Sequence, residues 1–192
     1  MLSHLRPALV SMGLFTVLLG LAYPLAITGA AQAAFPAQAN GSLVHDRNGQ
    51  IVGSALIGQV FVKAEYLHGR PSAAGDGYDA SASSGSNMGS LNDKLIAREK
   101  TDADALRAEF PGAVIPADAV TTSGSGLDPD VSPAYARLQA PRIAAARNAP
   151  RGEVLAMIDA AVKPPLLGFI GQPRVNVLEL NRALDERFPM VG

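Results

Sequence analysis

Ala8-Leu-Val-Ser-Met-Gly-Leu-Phe-Thr-Val-Leu-Leu-Gly-Leu-Ala-Tyr23-Pro24-Leu-Ala-Ile-Thr-Gly-Ala-Ala-Gln-Ala-Ala34 decides the architecture of this chain. These 27 residues contain no Lys, Arg, Asp or Glu. A helix needs about 20 predominantly apolar residues to cross roughly 30 Å of hydrocarbon. Leu9, Val10, Leu14, Phe15, Val17, Leu18, Leu19, Leu21, Leu25 and Ile27 are the strong contributors. At about −0.3 to −0.6 kcal/mol each, they favour insertion by several kcal/mol. Tyr23 falls where interfacial aromatics sit, and Pro24 is expected to kink or end the helix. A cleaved signal peptide is the competing reading, with Arg6 as its basic start and Ala31-Gln32-Ala33 as a small-residue cleavage pattern. A signal core is typically about 7–15 residues, shorter than this run. His4 and Arg6 precede the run, and no Lys or Arg follows until Arg47. The positive-inside rule then puts the N-terminus in the cytoplasm and everything after Ala34 outside.

Beyond the run the chain reads as soluble sequence. All but one of the 16 basic residues and all 17 acidic ones lie there, so that part is nearly neutral. A nucleic-acid partner calls for a clear basic excess, and none is expected here. With no cysteine, disulfides and thiolate chemistry are excluded. His4, His45 and His68 are too scattered for a metal site and read as surface or structural residues.

Residues 1–34 are therefore expected as an anchor, 35–40 as a linker and 41–192 as one small α+β domain. Gly41-Ser-Leu-Val, the turn Asp46-Arg-Asn-Gly49 and Gln50-Ile-Val-Gly-Ser-Ala-Leu-Ile57 predict a β-hairpin. Arg70 to Gly89 is glycine- and serine-rich and reads as a long irregular loop, of a length that tends to be functional or mobile. Ser90 can cap a helix reaching Phe110, with Leu91, Leu95, Leu106 and Phe110 on its apolar face and Pro111-Gly112 as its stop. A second loop, Thr121 to Asp130, leads into Ser132-Pro133, an N-cap with proline at the first helical position. That helix carries Tyr135, Leu138 and Ile143, with Pro141 bending it. Another spans about 153 to 162. Arg174-Val-Asn176 ends an extended stretch, and Asn176 with Glu179 has capping-box spacing before Leu180, Leu184 and Phe188.

The glycine-serine loops invite a nucleotide-binding reading. A P-loop needs a lysine followed by Ser or Thr after its glycines, to neutralise phosphate while backbone amides cradle it. No such lysine follows either loop, and Gly124-Ser-Gly126 lacks the third glycine of a dinucleotide fingerprint. Neither G-x-S-x-G nor S-x-x-K occurs, so the common serine-activating arrangements are missing. Asp102 and Asp104 read as a solvated helix face, Asp128 and Asp130 as a turn or helix start. A free-standing anchored hydrolase or ligand-binding domain stands as the rival class, without a motif in its favour.

Taken in order, several segments resemble the C-subunit family of Kdp-type potassium-transporting ATPases over nearly the whole chain. They are the anchor ending near Tyr23-Pro24, Ala39-Asn-Gly-Ser42, Gly53-Ser54, Ile57-Gly58-Gln59 and His68-Gly-Arg-Pro-Ser-Ala73. Then come Ser84-Gly-Ser-Asn-Met-Gly89, Thr122-Ser-Gly-Ser-Gly-Leu-Asp-Pro129, Gln139 with Arg142, Ala145 and Arg147, and Arg174-Val-Asn-Val-Leu-Glu-Leu-Asn181. The ordered set also favours a retained anchor over a signal peptide. The resemblance implies a non-catalytic, single-pass subunit of an inner-membrane potassium-uptake pump. Its implied partners are a P-type ATPase subunit, a channel-like potassium-binding subunit, a small membrane subunit and the lipid around them. It implies no cofactor of the chain's own, and a rise in the ATPase subunit's affinity for ATP in the manner of a catalytic chaperone. Within that view Ser84, Gly85, Ser86 and Asn87 are the expected nucleotide-linked loop, likened to the signature loop of ABC transporters. The usual glycine pair reads Gly85-Ser86 here, and the glutamine position is Asn87. An outside location puts these loops across the membrane from ATP. The alternative implied role is a cap that stabilises the channel-like subunit or shapes the potassium entrance.

Overall fold

The computed structural model describes residues 2–190, and they fall into two compact units, one up to Val52 and one from Gly53 onward. In the first unit, α1 (Leu5–Val17), a π-helical stretch at Leu18–Ala22 and α2 (Tyr23–Ala34) run as one 30-residue helix, Leu5–Ala34. At 1.5 Å per residue that is about 45 Å, enough by length and composition to cross a membrane. Its large apolar side chains, from Leu9 to Ile27, are all exposed.

Pro24 does not end the helix. Proline lacks an N–H and its ring crowds the carbonyl four residues back. The wider turn just before it relieves that crowding, with the Tyr23 N–H donating to the Leu18 carbonyl five residues back. Such π-turns are one of the few ways a helix accommodates a local misfit. Within 35–40, Pro36–Ala39 forms a single helical turn, α3. The predicted hairpin follows as β1 (Leu43–His45) and β2 (Ile51–Ser54), which pair with each other. Its turn is organised by Asp46, whose Oδ1 accepts from the Asn48 and Gln50 amides, both at 2.8 Å. Gly49 takes the left-handed conformation (φ +78°) that closes it.

The second unit is built around three helices, α5 (Pro133–Ala146), α6 (Arg151–Ala160) and α7 (Val177–Arg187). Leu67, Ile143, Val154, Ile158, Val175, Leu180 and Leu184 are fully enclosed in its core. Burying each such side chain is worth roughly 2 kcal/mol over leaving it in water. A two-residue antiparallel pair, β3 (Asp130–Val131) with β4 (Val175–Asn176), ties the start of α5 to the start of α7. The class is α+β, as expected.

Local capping explains where the helices begin. The Ser132 hydroxyl accepts from the Tyr135 amide at 3.0 Å, and Pro133 follows as the first helical residue. Asn176 Oδ1 accepts from the Glu179 amide at 3.0 Å. The Glu179 carboxylate pairs with Lys163. The helix after the long loop, α4 (Asp93–Glu109), is capped by Asn92 and not by Ser90. Asn92 Oδ1 accepts from the Lys94 amide at 2.9 Å and the Leu95 amide at 3.4 Å. Leu91 thus lies outside the helix, 89% exposed, and contributes nothing to an apolar face. Leu106 packs against the core, and Phe110 is buried immediately after the helix ends.

Candidate functional site

The two glycine-serine loops interlock. Ser72 Oγ donates to the Gly126 carbonyl at 2.6 Å and accepts from the Ala74 and Tyr78 amides. Ser83 Oγ donates to the Ser125 carbonyl at 3.0 Å. Inside the second loop, Ser123 Oγ accepts from the Gly126 amide and Ser125 Oγ from the Leu127 amide. Arg70 joins the two: Nη1 donates to Asp128 Oδ2 at 2.8 Å, while the rest of the guanidinium reaches Thr121 and the Thr122 carbonyl. Gly126, at φ +67°, has no room for a side chain, since a Cβ there would stand 2.6 Å from both the Ala74 nitrogen and the Ser84 carbonyl oxygen. A Cβ on Gly85 would stand 3.0 Å from the Gly124 carbonyl oxygen.

Tyr78 plugs the rear of this clasp. Its hydroxyl donates to the Arg70 carbonyl at 2.8 Å, and its ring lies against Gly58 and Gly69, where any side chain would collide with it. Burial, then the Asp128 charge, pushes its phenol up to about 12.

Of the expected nucleotide-linked residues, Ser84, Gly85 and Ser86 are half-buried and Asn87 is exposed. Ser84 Oγ donates to the Gly85 carbonyl and accepts a long 3.5 Å bond from Asn87 Nδ2. Asn87 itself is left-handed (φ +52°). The structure thus packs this stretch against the second loop through Gly85 and Ser84. The cation bonded into the network is Arg70, and Asp128, Thr121 and Thr122 hold it.

Beside the clasp lies a polar cleft of about 480 Å³ lined by Arg70, Asp118, Thr121, Asp128, Asp130, Ser132 and Arg174, among others. Its carboxylates are all engaged. Asp118 takes the Ser132 amide and hydroxyl at 2.7 and 2.9 Å. Asp128 accepts from the Asp130 amide, the turn role expected of it, as well as from Arg70. Asp130 pairs with Arg174 at 2.9 Å, and its pKa is raised, chiefly by burial, with Arg174 opposing. Asp102 and Asp104 pair along α4 with Arg98 and Arg107. Among the described residues no group of three or more His, Asp or Glu side chains could hold a metal ion.

A second polar cluster holds the strap from Lys63 to Arg70. Two buried amides bind its backbone as a neighbouring strand would: Asn181 exchanges bonds with the Leu67 N–H and C=O at 2.7 and 3.0 Å, and Gln139 with those of His68 at 2.8 and 3.1 Å. Arg142 reaches Gln139 Oε1, the Tyr66 carbonyl, His68 Nδ1 and Glu109. Arg147 holds the Glu65 and Phe188 carbonyls and Asp185, with Tyr66 stacked on its guanidinium at 5.1 Å. His68 is accordingly structural. Sequence reasoning assigned no role to Arg70, Tyr78 or Asp118; the side-chain partners of Arg70, Thr121 and Asp128, lie 51 and 58 positions along the chain. The one available signal was the placement of Arg70 and Asp128 in the two loops together.

Residues 5–186 match the family described as K+-transporting ATPase, c chain. The chain is 79% identical over 189 residues to the potassium-transporting ATPase KdpC subunit of Caulobacter vibrioides strain NA1000 / CB15N, covering 98% of this chain and 96% of that protein. It is 76% identical over 192 residues to the subunit of that name from Caulobacter sp. strain K31, covering 100% and 98%. The corresponding protein of Beijerinckia indica subsp. indica is 60% identical over 192 residues, covering 99% and 97%.

Proposed function

Since this chain belongs to the KdpC family, the c chain of the K+-transporting ATPase, we propose that it is a non-catalytic accessory subunit of an ATP-driven potassium-uptake pump. Helix Leu5–Ala34 anchors it in the inner membrane as a single span, with the N-terminus cytoplasmic and the folded domain outside. Its partners are the P-type ATPase subunit, the channel-like potassium-binding subunit and the small membrane subunit. It raises the ATPase subunit's affinity for ATP indirectly, as a coupling carried between sites through the membrane subunits. The domain itself acts as a cap on the channel-like subunit and requires no cofactor of its own.

The observation that carries this reading is the closed clasp around Ser84–Asn87. The Ser72 and Ser83 hydroxyls are spent on the facing loop, the Ser84 hydroxyl on the Gly85 carbonyl, and the clasp's arginine is held by Asp128. A triphosphate needs free cationic donors or a lysine-bearing cradle, so direct ATP binding is not favoured. A free-standing hydrolase is not favoured either, since the carboxylates of the cleft are engaged in caps and ion pairs.

Topology is the experiment that tests it. A phosphatase-type reporter fused after Gly192 is expected to be active, and a cytoplasm-dependent fluorescent reporter silent. The opposite pattern overturns the orientation and returns the clasp to the compartment of ATP.

A further inference from the structure

The small-residue pattern Ala31-Gln32-Ala33 takes no part in anchoring, yet its setting is that of a secretory leader. Arg6 precedes the uncharged run, and small residues occupy the third and first positions before Ala34. Gly29, a weak helix former, stands five residues before Ala34. It lies within α2 all the same, with nothing near the place a Cβ would take.

Position does not withhold this segment from a peptidase. The helix Leu5–Ala34 is about 45 Å long against roughly 30 Å of hydrocarbon. A span of about 20 residues counted from Ala8 ends near Ile27, so Ala31 to Ala34 stand about 6 to 10 Å beyond it. Gln32, Ala33 and Ala34 are exposed, and Ala31 is half-buried.

Backbone conformation does withhold it. A signal peptidase, a membrane-bound serine-type hydrolase, takes its substrate as an extended strand and pairs with the main chain beside the scissile bond. Here α2 continues through Ala34, and the Ala31 carbonyl accepts from the Phe35 amide at 2.7 Å. The helix does not pass into a free strand, because α3 follows at once. The Phe35 carbonyl accepts from the Ala39 amide and the Ala37 carbonyl from the Ser42 amide, both at 2.9 Å. Ala30, Ala31, Ala33 and Ala34 are the residue type that favours helix most. Hydrolysis of such a segment tracks the population of its opened form.

We propose that the Ala33–Ala34 bond is a cryptic signal-peptidase site, within reach of the enzyme and closed to it by the helix that runs through it. This rests on the orientation given above, which puts Ala34 outside. When the helix end opens, the peptidase hydroxyl attacks the Ala33 carbonyl carbon and the Ala33–Ala34 C–N bond breaks. The Ala34 nitrogen takes the proton as the leaving amine, and water hydrolyses the acyl-enzyme to leave a carboxylate on Ala33. The folded domain is thereby released from its anchor.

The test uses the full chain expressed in bacteria with their own signal peptidase, with and without the other pump subunits. It reads chain length and membrane retention. The unaltered chain is expected to be full-length and membrane-bound in both cases. Gly29→Pro removes a helix donor and crowds the preceding turn. It is expected to raise the released fraction about tenfold or more, as a soluble fragment whose sequenced N-terminus is Ala34. Thr28→Gly with Ala30→Gly, which loosens the helix without proline, must release the same fragment. Adding Ala31→Leu and Ala33→Leu to Gly29→Pro must restore the bound, full-length chain, because the peptidase reads small side chains there. Cleavage of the unaltered chain without its partners means that the partners, and not the helix, shield the bond. Release at a different bond means that another protease cuts the loosened helix. Each of these two results overturns the proposal. A phosphatase-type reporter fused after Gly192 is read alongside. If it is active while both loosened variants stay whole, this proposal alone fails; if it is silent, the orientation fails and takes the proposal with it.

Discussion

Arg147 Nη2 stands 2.8 Å from Asp185 Oδ1, with the arginine side chain wholly enclosed and the aspartate 45% exposed. The asymmetry matters. Arg147 also donates to the Glu65 and Phe188 carbonyls at 2.7 and 3.0 Å, so it joins the strap, the C-terminal end of α7 and the core through one side chain.

Removing Arg147 therefore does more harm than removing the charge of Asp185. Arg147→Ala leaves two carbonyls without their donor and a half-shielded carboxylate without its cation. A loss of about 3 kcal/mol is expected, within the range for breaking a buried pair. Asp185→Asn keeps an acceptor toward Arg147, and its other face is open to water; about 1 kcal/mol is expected. Denaturant unfolding of the two variants decides the order, and equal losses contradict it.

The second prediction concerns acid. Arginine can only donate, so His68 Nδ1, 3.1 Å from Arg142 Nη1, is an acceptor, and Nε2–H donates to the Lys63 carbonyl at 3.0 Å. The fold thus fixes one neutral tautomer. Burial lowers the His68 pKa below its ordinary 6.5; Arg142 adds to this, while the Lys63 carbonyl bond and Glu109 oppose it. The unfolded chain then binds the proton more readily than the native one, so stability rises with pH. The contribution is fully present above 6.5 and is lost as pH falls from there through the lower folded value. Melting temperature should fall on acidification across this window, and less so in His68→Gln. A histidine titrating above its ordinary value by NMR, or the Nδ1–H tautomer, would falsify the assignment.

The third prediction separates the domain from its anchor. Every residue of the hydrophobic core lies between Leu67 and Leu184, so deletion of residues 1–34 should leave a soluble chain that melts cooperatively. Assembly with the pump should weaken, because tethering raises the domain's local concentration near its partners. Full restoration of potassium uptake by the exported, truncated chain would mean that the helix serves delivery alone.

These features were unequally legible in the sequence. The apolar helix, the hairpin turn at Asp46–Gly49 and the caps at Ser132 and Asn176 are local, and a few adjacent residues specify each of them. Ser90 and Asn92 are both competent caps two residues apart, and the helix starts from Asn92. Asn181 and Leu67 lie 114 positions apart, Gln139 and His68 71 apart. No periodicity brings such pairs together, so the strap and its amide partners were invisible. No local signal assigns Leu166 to Ile170 a place, and only the folded chain reveals Leu166, Leu167, Phe169 and Ile170 as exposed.

The last prediction returns to the clasp, where the nucleotide reading and the cap reading part. Gly126 meets the Ala74 nitrogen and the Ser84 carbonyl so closely that Gly126→Ala must push the loops apart, on top of the cost of a side chain at φ +67°. A destabilisation of about 1–3 kcal/mol is expected. Gly85→Val should act in the same direction through the Gly124 carbonyl, less severely, because its Cβ approach of 3.0 Å demands a smaller shift. In the assembled pump both changes, and bulkier residues at Ser86 and Asn87, are expected to reduce assembly or potassium uptake by altering the packing of the two loops. The detergent-solubilised chain alone should show no saturable heat with ATP at millimolar concentration, measured against inorganic phosphate, because the clasp's arginine already belongs to Asp128. Saturable ATP binding by the chain alone, abolished by the same replacements, would establish Ser84–Asn87 as a true nucleotide site and remove the basis of the cap reading.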